Sequence, residues 1–222
     1  MTRFVSRRAQ TTGAAIMALT LLAGCQTAYF NAMESLGYHK RDLLVDRVED
    51  ARDSQQEAKE QFKSALERFG SVVNFDGGSL EAKYKKLDGE LERAKSKADE
   101  VSKRIDSVQD VAEALFKEWK AELREYSSAK LRNSSEAKLQ RTRVRYDELI
   151  TAMRKAESKI KPVLVALNDQ VLFLKHNLNA RALASLQDEY VTVEADTDAL
   201  VHEMEASIAE ADEFIREMVA ES

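Results

Sequence analysis

Apolar side chains recur along this chain at alternating steps of four and three residues. The first such seam has nine members, and its one long polar member is Gln55. Its members are Leu44, Val48, Ala51, Gln55, Ala58, Phe62, Ala65, Phe69 and Val72. Because a 3.5-residue period keeps one helix face turned toward a partner, the pattern predicts a long helix in a coiled-coil-like seam. A lone polar residue in such a seam often fixes the register of packing.

Three more seams of the same kind follow. The second runs from Leu80 to Ala129, with Glu122 as its only interruption, and the third runs from Leu139 to Leu174. The fourth begins at Leu186 and ends at Met218. Mixed charges lie between the seam positions, which is typical of a solvated helix face.

Residues that favour turns separate these seams. Gly70 and the run at 76–79 predict two breaks after the first helix, because glycine permits left-handed backbone angles and serine caps a helix. Asn133-Ser134-Ser135 predicts a turn between the second and third helices. Asn177 and Asn179 predict the next turn, with Asn179 as the cap of the following helix.

Pro162 lies inside the third seam, which keeps its phase across it. This predicts a kink in one helix, and the alternative is a short break with Pro162 at the first helical position. The following stretch, 163–174, is apolar on more than one face and predicts a helix buried on several sides. The β-branched run 190–193 leaves a further break open.

The four seams together predict an all-α fold. We expect an elongated antiparallel helical bundle, or coiled coil, of about four long helices running up-down-up-down. The predicted domain organisation is a signal peptide at 1–24, a membrane-proximal segment at 25–38 and a single helical-bundle domain at 39–222.

The amino-terminal segment has the features of an export signal. Arginines precede an apolar stretch of about ten residues, which is half of the roughly 20 that a spanning helix needs. The stretch ends at Leu22-Ala23-Gly24-Cys25, which resembles the bacterial lipoprotein signal box. That resemblance implies lipid attachment at Cys25, and the alternative is a chance cysteine near an ordinary cleavage site.

Location follows from the same resemblance. A lipid on Cys25 would anchor the protein to the bacterial cell envelope, facing the periplasm. Gln26 stands where aspartate retains enterobacterial lipoproteins in the inner membrane, so the outer membrane is favoured by analogy. With Cys25 as the only cysteine and consumed by lipid, an internal disulfide is excluded.

The net charge of the chain argues against some classes of binding partner. Without residues 1–24, which hold three arginines and no acid, 31 Lys and Arg stand against 39 Asp and Glu, a net charge of −8. This balance opposes nucleic-acid binding, which depends on clustered positive charge. It also disfavours a chain that lies flat on anionic lipid.

We find no sequence pattern for catalysis, a metal or a cofactor. His202-Glu203 begins like a zinc-protease helix, but Ala206 stands where the second histidine is needed. None of the three histidines has a glutamate three residues before it. Phosphate-binding glycine motifs are also absent.

One polar stretch is a candidate interaction patch. It consists of Lys175, His176, Asn177, Asn179 and Arg181. The functional interpretation is a binding surface at one end of the bundle. The favoured alternative is that these residues supply turn chemistry and hydrogen bonds that close the bundle.

The same stretch carries a family resemblance. The run from Leu172 to Ala180 (LFLKHNLNA) and the run from Ser207 to Ala211 (SIAEA) resemble an uncharacterised family of bacterial lipoprotein-like helical proteins, domain of unknown function 2959. The resemblance implies a bacterial source, and it supplies no activity, cofactor or catalytic residue.

These observations favour a non-enzymatic envelope lipoprotein with a structural or adaptor role and an envelope protein as partner. One alternative is a carrier of a hydrophobic ligand, such as a lipid or quinone, suggested by the apolar stretch 163–174 with Trp119 and Tyr126. An envelope enzyme is the other alternative. Seams can pack within one chain or between copies, so homo-oligomerisation stays open.

Overall fold

The structure is a computed structural model that describes residues 39–220, and these residues form five helices. The helices are α1 (Lys40–Val73), α2 (Leu80–Glu122), α3 (Ala129–His176), α4 (Ala180–Ser185) and α5 (Gln187–Ala220). The predicted signal peptide at 1–24, Cys25 and the segment 25–38 lie outside the described residues. The chain divides into two compact units, 1–43 and 44–222, and the packing described below belongs to the second.

Ion pairs between helices show how α1 and α2 run. The Arg104 guanidinium lies 3.0 Å from the Asp50 carboxylate, and the Lys97 ammonium lies 2.5 Å from that of Glu57. Numbers rise along α1 as they fall along α2, so the two helices are antiparallel. Such exposed pairs contribute little stability, about 0–1 kcal/mol each, but they show the register of the two helices.

The remaining neighbours are antiparallel as well. The pairs that show this are Arg154–Asp106 and Lys95–Asn168 for α2 with α3, Arg145–Glu217 and Lys155–Glu203 for α3 with α5, and Arg52–Asp212 and Lys59–Glu205 for α1 with α5. Together they close a ring in the order α1, α2, α3, α5. The predicted antiparallel all-α bundle of four long helices is therefore confirmed, with helices of 34 to 48 residues.

The core follows the seams. All nine members of the first seam are buried, including Gln55. The Gln55 side-chain oxygen accepts a hydrogen bond of 2.9 Å from the hydroxyl of Ser207 on α5, which is also fully buried. Apolar side chains of α2, α3 and α5 complete the core, such as Ile105, Leu149 and Leu200.

Gly70 does not break the first helix, contrary to the sequence prediction. Helix α1 continues to Val73, and a side chain at Gly70 would meet the ring of Tyr190 at 3.1 Å. The glycine therefore serves the close approach of α1 and α5. The turn comes at Gly77 and Gly78, whose φ angles of +124° and +88° are the left-handed conformations that glycine permits.

The turn between the second and third helices was also predicted in the wrong place. Helix α2 ends at Glu122, the loop occupies 123–128, and Ser128 caps α3. The predicted turn residues 133–135 lie inside α3, where the Ser135 hydroxyl accepts a 2.8 Å hydrogen bond from the Trp119 indole. Ser128 has the same capping chemistry as Ser134 and Ser135. The packing of α2 against α3 decides which serine caps the helix.

Two other predictions about where the helices continue and end were correct. Pro162 lies within α3, so the helix continues through it. The break at 177–179 is present, and the Asn179 side chain caps α4 by accepting a 3.1 Å hydrogen bond from the backbone N–H of Ala182. The additional break falls at Leu186, between α4 and α5, instead of within 190–193.

Candidate interaction surfaces

The last turns of α3 expose large apolar side chains on their outer face. Val165 and Leu172 are 51% and 56% exposed, and Phe173 is 39% exposed. Residues 165, 169, 172 and 176 follow the spacing of a single helix face. Because Val163, Leu167, Val171 and Leu174 turn inward, the expected burial of this stretch on several sides is wrong within the single chain.

The predicted patch divides into two groups of residues. Asn177 and Asn179 shape the turn: Asn177 donates a 2.9 Å hydrogen bond to the carbonyl of Phe173, and Asn179 caps α4. Lys175, His176 and Arg181 are exposed and make no ion pair among the described residues. The asparagines therefore have the structural role that was favoured, while the other three stay available to a partner.

We call the resulting surface the α3-end patch. It consists of Val165, Leu172, Phe173, Lys175, His176, Leu178 and Arg181. Leu178, 38% exposed, extends the apolar part into the turn beyond the helix. The patch therefore combines an apolar centre with cationic and imidazole groups around it, a composition that suits a protein surface with an apolar contact and acidic groups at its edge.

The opposite end of the bundle is the loop between α2 and α3. Phe116 is the last buried residue of α2, and Leu139 is the first buried residue of α3. The stretch between them has no fully buried side chain and forms an exposed hairpin end. Tyr126 and Leu131 are 40% and 57% exposed there.

This hairpin end is basic. We define it as the basic tip, residues 117–145, which contains nine Lys and Arg against four Glu. Six of the cations are exposed and make no ion pair within the described residues; they are Lys117, Lys120, Arg124, Lys130, Arg132 and Arg141. Helix α5 is the opposite case, with eleven Asp and Glu against a single arginine.

A cleft of about 350 Å³ lies between α2 and α3 at the base of the basic tip. The rings of Phe116 and Tyr146 meet edge to face in it at 5.4 Å, and the guanidinium of Arg143 lies 5.5 Å from the Phe116 ring centre. Burial, with a smaller effect from the Asp147 carboxylate, raises the pKa of Tyr146 to about 12. Lys117 and Lys120 line the same cleft, so it joins aromatic and cationic groups.

A second cleft, of about 600 Å³, opens between α3 and α5. Its apolar wall includes Val144, Phe214 and Met218. Arg145 lies beside it and makes ion pairs of 2.9 Å with Glu213 and 2.8 Å with Glu217. The hydrogen bond to Glu217 is the main reason why the pKa of Arg145 is raised. Arg145 is thus neutralised by α5.

Neither a metal cluster nor a bilayer-spanning helix is found in the part of the chain that the structure describes. No group of three or more His, Cys, Asp or Glu side chains within residues 39–220 is arranged to hold a metal ion. None of the described helices combines the length and the hydropathy that crossing a bilayer requires. His176 and His202 are both exposed, and Glu203 pairs with Lys155 at 2.9 Å.

The basic tip was missed in the sequence because charge was summed over the whole chain. The sum of −8 without residues 1–24 conceals a local excess of five positive charges in residues 117–145. A count of charge by helical segment would have found it. Exposure on the α3-end patch had no comparable signal, because the sequence there is equally consistent with burial.

Comparison with known proteins tests the family resemblance. No curated protein matches the chain, and no solved structure matches it. A family model does match, over residues 29–218, so the match covers all but the last two residues of α5 and includes the run from Leu172 to Ala180. The resemblance drawn from that run is confirmed: the chain belongs to the family described as "Protein of unknown function (DUF2959)".

Proposed function

We propose that this protein is a lipid-anchored lipoprotein of the bacterial envelope that faces the periplasm and acts as a structural adaptor for another envelope protein. The observation that carries the adaptor role is the α3-end patch. It exposes large apolar side chains, whereas the neighbouring core residues of α3 are buried. Exposed apolar groups gathered at one place mark interaction sites in soluble domains.

The anchor part of the proposal rests on the amino-terminal sequence. A basic start, a short apolar core and Leu22-Ala23-Gly24-Cys25 together fit lipid attachment at Cys25. Several acyl chains hold a protein durably, whereas one chain holds it marginally. Gln26 supports the outer membrane over the inner membrane by the analogy given above.

The carrier alternative has less support. It combined the apolar stretch 163–174 with Trp119, but Trp119 contacts Ser135 at the other end of α3. Lys95 of α2 lies beside Asn168 in that stretch, 24 residues from Trp119, which is about 36 Å along a helix. Leu167 and Leu174 pack into the core, with no exposed surface left to line a ligand site.

Fatty-acid labelling tests the anchor. We expect cells grown with a radioactive fatty acid to label the wild-type protein and not the Cys25→Ala variant. The wild-type protein should fractionate with the outer membrane, and the variant should lose that label while still containing the same bundle. An unlabelled wild-type protein, or equal label in both proteins, would contradict lipid attachment at Cys25.

Site-specific photocrosslinking tests the adaptor role. A crosslinking amino acid at Leu172 should give a discrete adduct with one envelope protein, and the same group at Lys159, exposed on α3 outside the patch, should not. Adding Phe173→Asp to the Leu172 probe should abolish the adduct, because a charge in an apolar contact opposes its burial.

The folded state provides the control for this experiment. Since Phe173 is 39% exposed and outside the buried core, we expect the purified Phe173→Asp protein to stay folded and to unfold in one cooperative thermal transition. Equal adducts from Leu172 and Lys159, or an adduct that survives Phe173→Asp, would rule out the α3-end patch as the partner site.

A further inference from the structure

The basic tip lies at the end of the bundle where the chain enters α1. Asp50, early in α1, pairs with Arg104, and α2 continues from Arg104 toward its end at Glu122. The loops at 74–79 and 177–179 lie at the other end, because the four long helices alternate in direction. Leu44 follows Cys25 by 19 positions, so the chain that leads from a lipidated Cys25 enters the bundle at the end that carries the tip.

Charge at this end is opposite in sign to the rest of the bundle. The tip has an excess of five positive charges, whereas residues 25–222, with the tip included, have a net charge of −8. Membrane surfaces of bacteria carry anionic phospholipid, and basic residues near such a surface are attracted within a Debye length of about 8–10 Å. A bundle oriented by its charges would therefore turn this end toward the bilayer.

The apolar groups of the tip suit the same surface. Tyr126 lies in the loop and Leu131 in the first turn of α3, both exposed and flanked by Arg124, Lys130 and Arg132. A tyrosine ring is favoured at the level of lipid headgroups, where its hydroxyl stays hydrated. Lysine and arginine can extend their charged ends toward phosphate while their stems stay in apolar surroundings.

We propose that the basic tip docks onto anionic phospholipid headgroups of the membrane that holds the anchor. The inference rests on the proposed function, since the lipid on Cys25 brings the tip to the membrane. Docking holds the bundle upright, with the α3-end patch directed away from the bilayer. The chemistry recognised is the phosphate of anionic glycerophospholipid, contacted by lysine and arginine, with Tyr126 and Leu131 at the interface.

A dye on the tip can report this docking. In the lipidated protein the Cys25 thiol is consumed, so Ser127→Cys supplies a single free thiol for an environment-sensitive dye. The full protein is placed in phosphatidylcholine vesicles with or without phosphatidylglycerol, together with lipids that carry a nitroxide quencher. We expect strong quenching with phosphatidylglycerol, weak quenching without it, and release in 1 M salt, where the Debye length falls to about 3 Å.

Charge reversals distinguish the tip from other basic positions. Lys130→Glu with Arg132→Glu should lower the ratio of docked to free tip by roughly 25-fold or more, at about fivefold per basic residue. Lys159→Glu with Lys161→Glu, also exposed on α3, should leave quenching unchanged. A dye at Asn74→Cys, in the loop at the opposite end, should stay unquenched in both kinds of vesicle.

The results that overturn the proposal are distinct from those that overturn the anchor. Equal quenching at 127 and 74, or quenching indifferent to phosphatidylglycerol, overturns docking even when Cys25 carries lipid. A signal that rises with protein concentration and ignores lipid charge means that the tip binds an acidic protein face, such as α5 of a second copy, and also overturns it. If Cys25 carries no lipid, the proposed function fails, and flotation of the Cys25→Ala chain with the same vesicles still tests the tip.

Discussion

Replacing Phe62 with alanine should lower the free energy of unfolding by about 3–5 kcal/mol. Phe62 lies in the middle of the first seam and is completely buried. Truncation removes most of its apolar surface from the core and leaves a cavity between helices that cannot collapse fully. Since small domains are stable by about 5–15 kcal/mol, this loss is a large part of the total. Urea unfolding followed by circular dichroism at 222 nm measures it.

Val191→Ala supplies the matched control for Phe62→Ala. Val191 is 62% exposed on α5, so its truncation should change the free energy of unfolding by about 0.5 kcal/mol or less. Alanine is the better helix former, which favours a small gain. A loss of less than about 1 kcal/mol for Phe62→Ala would mean that the first seam does not pack as the structure has it.

Ser207→Ala should destabilise the protein by about 1–3 kcal/mol, although it removes a single oxygen atom. The Ser207 hydroxyl is the donor to the Gln55 oxygen at 2.9 Å, and both side chains are fully buried. The Gln55 amide nitrogen already has no hydrogen-bond partner among the described residues. Without Ser207, the amide oxygen also loses its partner, and its desolvation is no longer offset.

The double variant Ser207→Ala with Gln55→Leu should recover most of that loss. Replacing both partners by apolar groups removes the buried polar atoms together, which is nearly neutral or stabilising. Urea unfolding of the two single variants and the double variant gives the coupling free energy between the positions. A double variant as unstable as Ser207→Ala alone would show that the hydrogen bond is not what the serine contributes.

The same pair bears on register. A lone polar residue in a seam can select one packing arrangement at a cost in stability. Sedimentation equilibrium of the double variant therefore complements the unfolding data. We expect the variant to keep its fold while the bundle becomes less selective, with a mixture of association states.

The helices were predictable because their seams record which face is buried. All nine first-seam positions are buried as expected, since a 3.5-residue apolar period places the apolar side chains on a single face of the helix. The end of α2 was not predictable in the same way. Tyr126 and Ala129 keep the period beyond Glu122, yet they lie in an exposed loop and at the start of α3. The period describes the spacing of apolar residues, but these residues are buried only where another helix packs against them.

The interaction surfaces show a second limit. Leu172 and Phe173 have the hydropathy of core residues. The neighbouring sequence does not distinguish an apolar side chain that packs in the core from one that is exposed on the surface. Asn177 and Asn179 were interpretable because their chemistry is local: an amide side chain bonds to backbone within a few residues. The positive charge of the basic tip could be counted along one continuous segment, whereas its exposure at an end of the bundle required the fold.

The even number of long helices has a practical consequence for tagging this protein. A chain that runs up, down, up and down leaves its bundle at the level where it came in, so any peptide fused after Ala220 starts beside Gln140 and Arg141, at the base of the basic tip. A bulky reporter there would crowd the base of the basic tip. The glycine turn at 77–78 opens at the far side, and its exposed residues accept an inserted epitope without breaking a helix.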